Sequence, residues 1–240
     1  MCTILFSFGQ EGRPPLTLLA NRDEFYERPT RKADWWPDEP EVFAGRDLVG
    51  GGTWLGISKN GGIAAVTNFR HPGQERGELS RGKLVADYLR SGLTPDEYLA
   101  NVERDKARYT GFNLLVGKFG PEGNRLFYFS NRGNGIAELE PGLYGLSNHL
   151  LDTPWPKVTR GKERFESLLE SGAEKEEMFA LLADGSLAED DELPDTGIGY
   201  EKEKLLSAIF IETPVYGTRC SNVVIFRAGG GFEFEERVFV

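Results

Sequence analysis

The strongest constraint on the fold of this chain is the way its short apolar stretches are joined. Residues 2–8 and 16–20 are apolar and rich in β-formers, and Gly9-Gln10-Glu11-Gly12-Arg13-Pro14-Pro15 between them reads as a turn, so the chain opens with a hairpin. Trp54–Ser58 and Ile63–Thr67 flank Lys59-Asn60-Gly61-Gly62 and predict a second hairpin that ends at Asn68. Ser80 can cap a helix running to about Arg90, and Thr94-Pro95-Asp96-Glu97 supplies the cap, first-turn proline and acidic first turn of another ending near Arg108. Phe112–Lys118, Arg125–Ser130, Ile136–Glu140 and Leu143–Leu146 follow as strands broken by glycine- and proline-bearing turns. Helices are expected at about 156–170, 174–184 and 201–208, then strands at 219–227 and 232–239. Segregated runs of strands and helices favour an α+β fold, with two antiparallel sheets face to face and helices outside, over a doubly wound parallel sheet.

A chain of 240 residues can bury its core without staples, and it is read as one domain over 1–240. No apolar run approaches a membrane span and the apolar start has the wrong flanks for a signal peptide, so no membrane insertion and a cytoplasmic location are expected. A formal charge of -10 argues against broad nucleic-acid binding and leaves a small-molecule substrate or a hydrophobic ligand as the partner; nothing specifies the oligomeric state. Cys2 and Cys220 do not make a disulfide framework and are read as reduced. His71 and His149 suit no metal, the sequence has no zinc, serine-elbow or dinucleotide fingerprint, and no cofactor is expected. Gly50-Gly51-Gly52 reads as a turn or a close backbone approach to ligand, and the acidic 189–195 stretch as a solvated loop.

The chemistry gathers at the start. If the first hairpin turns near Gly12, opposed residue numbers sum to about 24 and Cys2 faces Arg22, with Cβ atoms about 4.5 to 5.5 Å apart. A fixed cation there lowers a thiol pKa that is otherwise about 8.5, and roughly 2 kcal/mol would bring it near 7. The small side chain of Cys2 permits removal of Met1; the new α-amine, with a pKa of about 8, can then act as general base. Asn68 and Asn148, each ending a strand, are candidate oxyanion donors. Each residue also has a plain structural reading: a small buried cysteine, strand-ending turns, and for Asn21–Glu24 a solvated polar turn whose ion pair is worth about 0 to 1 kcal/mol.

Met1-Cys2-Thr3 followed by Asn21-Arg22-Asp23-Glu24 resembles the NRDE family, the transport and Golgi organisation protein 2 family. Further matching stretches are 51–56 (GGTWLG), 67–70 (TNFR), 111–113 (GFN), 145–148 (GLSN), 153–157 (TPWPK) and 217–219 (GTR). The resemblance implies a four-layer αββα sandwich of the N-terminal nucleophile hydrolase kind, related to choloylglycine hydrolases and penicillin V acylases. It implies Cys2 as nucleophile, Arg22 as its electrostatic partner, Asp23 as orienter of the α-amine, and Asn68 and Asn148 as oxyanion or amine-positioning groups. It further implies substrate contacts from Asn21, Glu24, Trp54, Arg70, Asn113 and Arg219. The acylases separate the arginine and aspartate by two residues; here Arg22 and Asp23 adjoin, so a flat strand would point them to opposite faces. Two functions follow from the resemblance. One is a cysteine amidohydrolase or acyltransferase acting on an amide or thioester. The other is a binding or trafficking module for haem, acyl-CoA or lipid in the same cleft, with Trp35, Trp36, Trp54 and Trp155 as cleft walls.

Overall fold

The computed structural model describes residues 2–74 and 76–240; the anticipated removal of Met1 concerns a residue outside them. The elements in chain order are β1 (Cys2–Phe8), β2 (Leu16–Phe25), β3 (Thr30–Trp36), β4 (Glu39–Asp47), β5 (Leu55–Ser58), β6 (Gly62–Asn68), α1 (Arg81–Ser91), α2 (Pro95–Asp105), β7 (Phe112–Gly120), β8 (Gly123–Ser130), β9 (Gly135–Glu138) and β10 (Gly142–Leu146). They continue with α3 (Pro156–Ser171), α4 (Lys175–Leu182), α5 (Tyr200–Leu205), β11 (Tyr216–Phe226) and β12 (Phe232–Val238). Among the described residues the strands form two antiparallel sheets, β10-β1-β2-β11-β12 and β3-β4-β5-β6-β7-β8-β9.

Side-chain alternation assigns the layers. In β1 and β2, Ile4, Phe6, Leu18 and Ala20 face inward against Leu55, Ile57 and Leu115 of the other sheet, and Phe119 stacks on Phe226 across the gap at 4.5 Å. Leu5, Leu19 and Val223 point the other way, onto Phe165 and Leu182 of α3 and α4. The outer face of the seven-stranded sheet, with Val66, Leu114 and Val116, carries Leu84, Val85 and Leu99 of α1 and α2. The result is the α+β, four-layer αββα sandwich that the sequence leads one to expect. Each fully buried aromatic such as Phe165 contributes about 1.5–3 kcal/mol by leaving water.

Three local findings differ from the sequence reading. β3 and β4 were not anticipated: β3 reads Thr-Arg-Lys-Ala-Asp-Trp-Trp, an edge strand whose charges hide its period while keeping the edge unattractive to other strands. β2 continues past the apolar run to Phe25, so Asn21, Arg22 and Asp23 lie inside a strand and are buried, where a solvated turn had been the plain alternative. The glycine run at 50–52 makes both a turn and a close approach, but the approach is to protein: a Cβ on Gly52 would meet the Gly82 carbonyl carbon at 2.3 Å, in the first turn of α1. The 189–195 stretch is largely exposed, as expected, and is held by ion pairs from Asp190 to Lys204 and from Glu192 to Arg160.

Candidate active site

The hairpin register pairs Cys2 with Arg22, as the turn position predicts, and β11 brings Cys220 against the other side of Arg22. On its far side β1 pairs with β10, from Phe8 opposite Gly142 to Ile4 opposite Leu146, where β10 ends two residues before Asn148. One row across the five-stranded sheet therefore reads Cys2, Arg22, Cys220.

Arg22 is 5% exposed and lies between the sheets. Its guanidinium sits 4.2 Å over the Trp54 ring and donates to Thr30 Oγ1 at 3.3 Å. The ring reaches that place because residue 45 is glycine; a Cβ there would be 2.2 Å from the Trp54 ring edge. Asp23 lies on the opposite side, as adjacency in a strand requires, and its Oδ1 accepts from Thr218 Oγ1 at 2.8 Å. Burial raises the Asp23 carboxyl above its ordinary range, with the charge of Lys157 and the Thr218 hydroxyl pulling the other way.

The Cys2 thiol differs from the expectation of an activated thiolate. Its pKa is raised, because desolvation outweighs everything else and the Asp23 charge adds to it, while Arg22 and the Asp23 backbone N–H draw it down by less. The guanidinium of Arg22, expected to dominate, lies over Trp54 and donates to Thr30. Cys220 is buried and its thiol is pushed up further by desolvation. Both cysteines are free.

Asn148 is fully buried and its Nδ2 donates to the Asn68 carbonyl at 3.0 Å; the Arg70 N–H donates to the Asn148 carbonyl at 2.6 Å. Ser147 Oγ donates to the Cys2 carbonyl at 3.3 Å. These bonds join the end of β6, in one sheet, to the mouth of β1 in the other. Asn68 itself is partly exposed at that junction. Asn113 is buried beneath it: its Nδ2 donates to Thr67 Oγ1 and the His149 carbonyl, and its Oδ1 accepts from Tyr128. Asn21 ties β2 to the helix layer by donating to the carbonyls of Leu182 and Ile209. Glu24 Oε1 accepts from the Phe25 N–H, and its other oxygen lies 3.7 Å from Arg28. Arg70 lies 4.5 Å over Trp155 and donates to Glu203 at 2.5 Å. Arg219 donates to the backbone carbonyls of Phe25, Arg28 and Val240. Cys2, Arg22, Asp23, Asn148 and Asn68 thus come together, with Trp54 under Arg22; Asn21, Asn113 and Arg219 brace the strands around them. Of the four tryptophans, Trp36 is buried under α1 and Trp35 is exposed at the sheet edge.

The sequence matches the family described as Transport and Golgi organisation 2 over residues 1–240. The chain belongs to this family. The Transport and Golgi organization protein 2 homolog of Bos taurus is 39% identical over 257 residues, 99% of this chain and 92% of that protein. The Homo sapiens homolog is 38% identical over the same shares, and the Drosophila melanogaster protein is 30% identical over 98% of this chain and 91% of its own. Among solved structures, a Caenorhabditis elegans N-acylethanolamine-hydrolyzing acid amidase ortholog superposes with a TM-score of 0.53, covering 95% of this chain and 93% of that one at 12% identity. This member of the Transport and Golgi organisation 2 family therefore shares the α+β sandwich fold of that amidase ortholog.

Three residues of this family member that sequence reasoning did not single out reach the site. Tyr216 donates from its hydroxyl to the Asp23 carbonyl at 3.2 Å. Arg81, opening α1, is close enough for its charge to be felt by Cys2 and donates to the Gly111 carbonyl. Lys157 is buried in the first turn of α3. Its signal was present in the sequence: Lys157, Gly161 and Phe165 are spaced by four, which puts a lysine on the apolar face of a helix. No helix among the described residues is long and apolar enough to cross a membrane, and these residues contain no cluster of potential metal ligands.

Proposed function

We propose that the protein is an N-terminal cysteine amidohydrolase or acyltransferase that acts on a small amide or thioester through an acyl-enzyme at Cys2. The observation that carries this reading is the pairing of Cys2 with Arg22 at the start of the first strand, with the buried Asp23 next in β2. The fold shared with an N-acylethanolamine-hydrolyzing acid amidase ortholog supports it.

In this mechanism Sγ attacks the carbonyl carbon and the pair from the C=O bond moves to oxygen. Asn68, on the exposed side of the junction, donates to the developing oxyanion, and Asn148 positions Asn68 by holding its carbonyl. Arg22 supplies a fixed positive field across the row. Where Met1 is removed, the α-amine takes the thiol proton and returns it to the departing nitrogen or sulfur, with Asp23 orienting it. Water or an amine then attacks the thioester and releases Cys2. Glu24, Arg70, Trp54 and Trp155 are the groups placed to shape the substrate's path.

A second reading, a non-catalytic module binding haem, an acyl-CoA or another lipid, is favoured by one observation: a thiol held up by desolvation is a poor resting nucleophile. A single variant separates the two. Cys2→Ala should fold and lose turnover of amide or thioester substrates by about three orders of magnitude or more. Full activity in that variant would remove Cys2 as nucleophile. Undiminished quenching of tryptophan fluorescence by haem or long-chain acyl-CoA, in a protein without turnover before or after the substitution, would establish the binding module.

A further inference from the structure

Two buried arginines of this chain lack the counter-charge that burial ordinarily demands. Arg22 is 5% exposed and Arg219 8%, and neither has an acidic side chain within ion-pair distance among the described residues. The buried Arg70 guanidinium, by contrast, has Glu203. Arg22 has only the Thr30 hydroxyl and the face of Trp54. Arg219 donates to the carbonyls of Phe25, Arg28 and Val240, and its Nε has no partner among the described residues. The two side chains line one cavity of about 30 Å³, together with Thr30, Cys220 and Glu236.

Register explains how both reach it. β11 pairs with β2 so that Cys220 is opposite Arg22 and Thr218 opposite Asp23, which leaves Arg219 as the extra residue of a bulge. A regular strand would turn Arg219 and Cys220 to opposite faces; the bulge lets both line the cavity. The edge strands β3 and β12 close it, with Glu236 Oε2 accepting from the Ala33 N–H at 2.6 Å, and the exposed Arg31 and Lys32 stand at its rim. Four cations thus meet one carboxylate in a chain whose formal charge is -10, and the balance stays positive with the carboxyl group of Val240 counted as a second anion. Desolvation raises the Glu236 carboxyl in spite of Arg22 and Lys32, so this end of the interior is poorly solvated and water does little to offset the excess positive charge.

We propose that this cavity binds one small monovalent anion, a halide or the carboxylate group of a small acid, between the guanidinium groups of Arg22 and Arg219. Guanidinium N–H groups are strong donors to such an anion, and Arg219 Nε is a buried donor still to be satisfied. The volume sets the size limit: it is roughly that of one ion or one carboxylate head, too small for a phosphate ester. Glu236 competes with the guest for the same cations and holds its affinity down. The site stands independently of whether Cys2 reacts, since it needs only the two arginines and the bulge that brings them together.

The probe is chloride, read by its nuclear magnetic resonance line width with the full-length protein. Ionic strength is held constant with sodium gluconate, whose anion is too large for the cavity. The wild type should show excess broadening that saturates as chloride rises. Displacement by acetate would extend the site to carboxylates, and persistence against acetate would restrict it to halides. Arg219→Gln should raise the half-saturating concentration at least about tenfold. Glu236→Gln keeps an acceptor for the Ala33 N–H and removes the competing charge, so it should lower that concentration at least about threefold. Bromide soaked into crystals should give an anomalous peak between Arg22 and Arg219. Thermal melts establish that the variants fold; should Arg219→Gln not fold, Glu236→Gln and the bromide position decide. Broadening that never saturates or is the same in all three proteins, or bromide found only elsewhere, overturns the proposal.

Discussion

Asp23 is a carboxylate whose surroundings penalise its charge. Its pKa is raised by burial, so folding stability falls as pH rises through its folded value and the penalty is complete above it. Asn at this position keeps an oxygen for Thr218 and cannot ionise. Asp23→Asn should therefore melt higher than the wild type at pH 7, with the difference shrinking toward zero as pH falls toward 4. Each kcal/mol released appears as about 2–4 °C in a chain of this size. The opposite sign at pH 7 would mean that attraction from Lys157 outweighs desolvation. The pairing of Cys2 with Arg22 was legible in the sequence because a hairpin with a recognisable turn fixes its own register. The net ionisation of Cys2 was not legible, since it depends on how much water the second sheet and α3 exclude, and that is a sum over distant residues.

At the scale of elements, the decisive contact beneath the site runs from β4 to the segment before β5. Gly45 leaves space for the Trp54 ring, which in turn supports Arg22. Gly45→Ala would force the ring aside and should cost about 1–3 kcal/mol, measured by urea denaturation. A neutral result would show that the ring has somewhere else to go. Helices and most strands could be read from periodicity and caps; α2, for instance, has Thr94 at its cap, Pro95 opening it and Asp96 and Glu97 in its first turn, as expected. β3 and β4 could not, because β3 is an edge strand written in charges and its turn at 37–38 lacks a glycine. Asn113, a substrate contact by resemblance, also has a structural part: from β7 it bonds to Thr67, Tyr128 and the His149 carbonyl, and so holds the segment after β10 in place.

For the molecule as a whole, the layers were legible and the joints between them were not. The buried Arg70–Glu203 pair is one such joint, linking the chain beyond β6 to α5, while Glu203 also accepts from the Thr196 N–H and hydroxyl. Neutralising Glu203 removes one counter-charge of the buried Arg70 guanidinium, so Glu203→Gln should destabilise the protein, read as a lower urea midpoint. A change under 1 kcal/mol would mean that water reaches Arg70. The seam between Asn68 and Asn148 is another joint, next to Ser147, whose hydroxyl donates to the Cys2 carbonyl. Its partners are 80 residues apart in the chain: Asn68 ends β6 of one sheet, and Asn148 follows β10 of the other. A chain with either sheet formed alone contains every residue of the site and no site. In kinetic terms the surroundings of Cys2 belong to the late, long-range closure of folding, after the hairpins and helices have formed, when the entropy of the large loop has already been lost. Newly made protein therefore carries an ordinary cysteine until its two sheets meet.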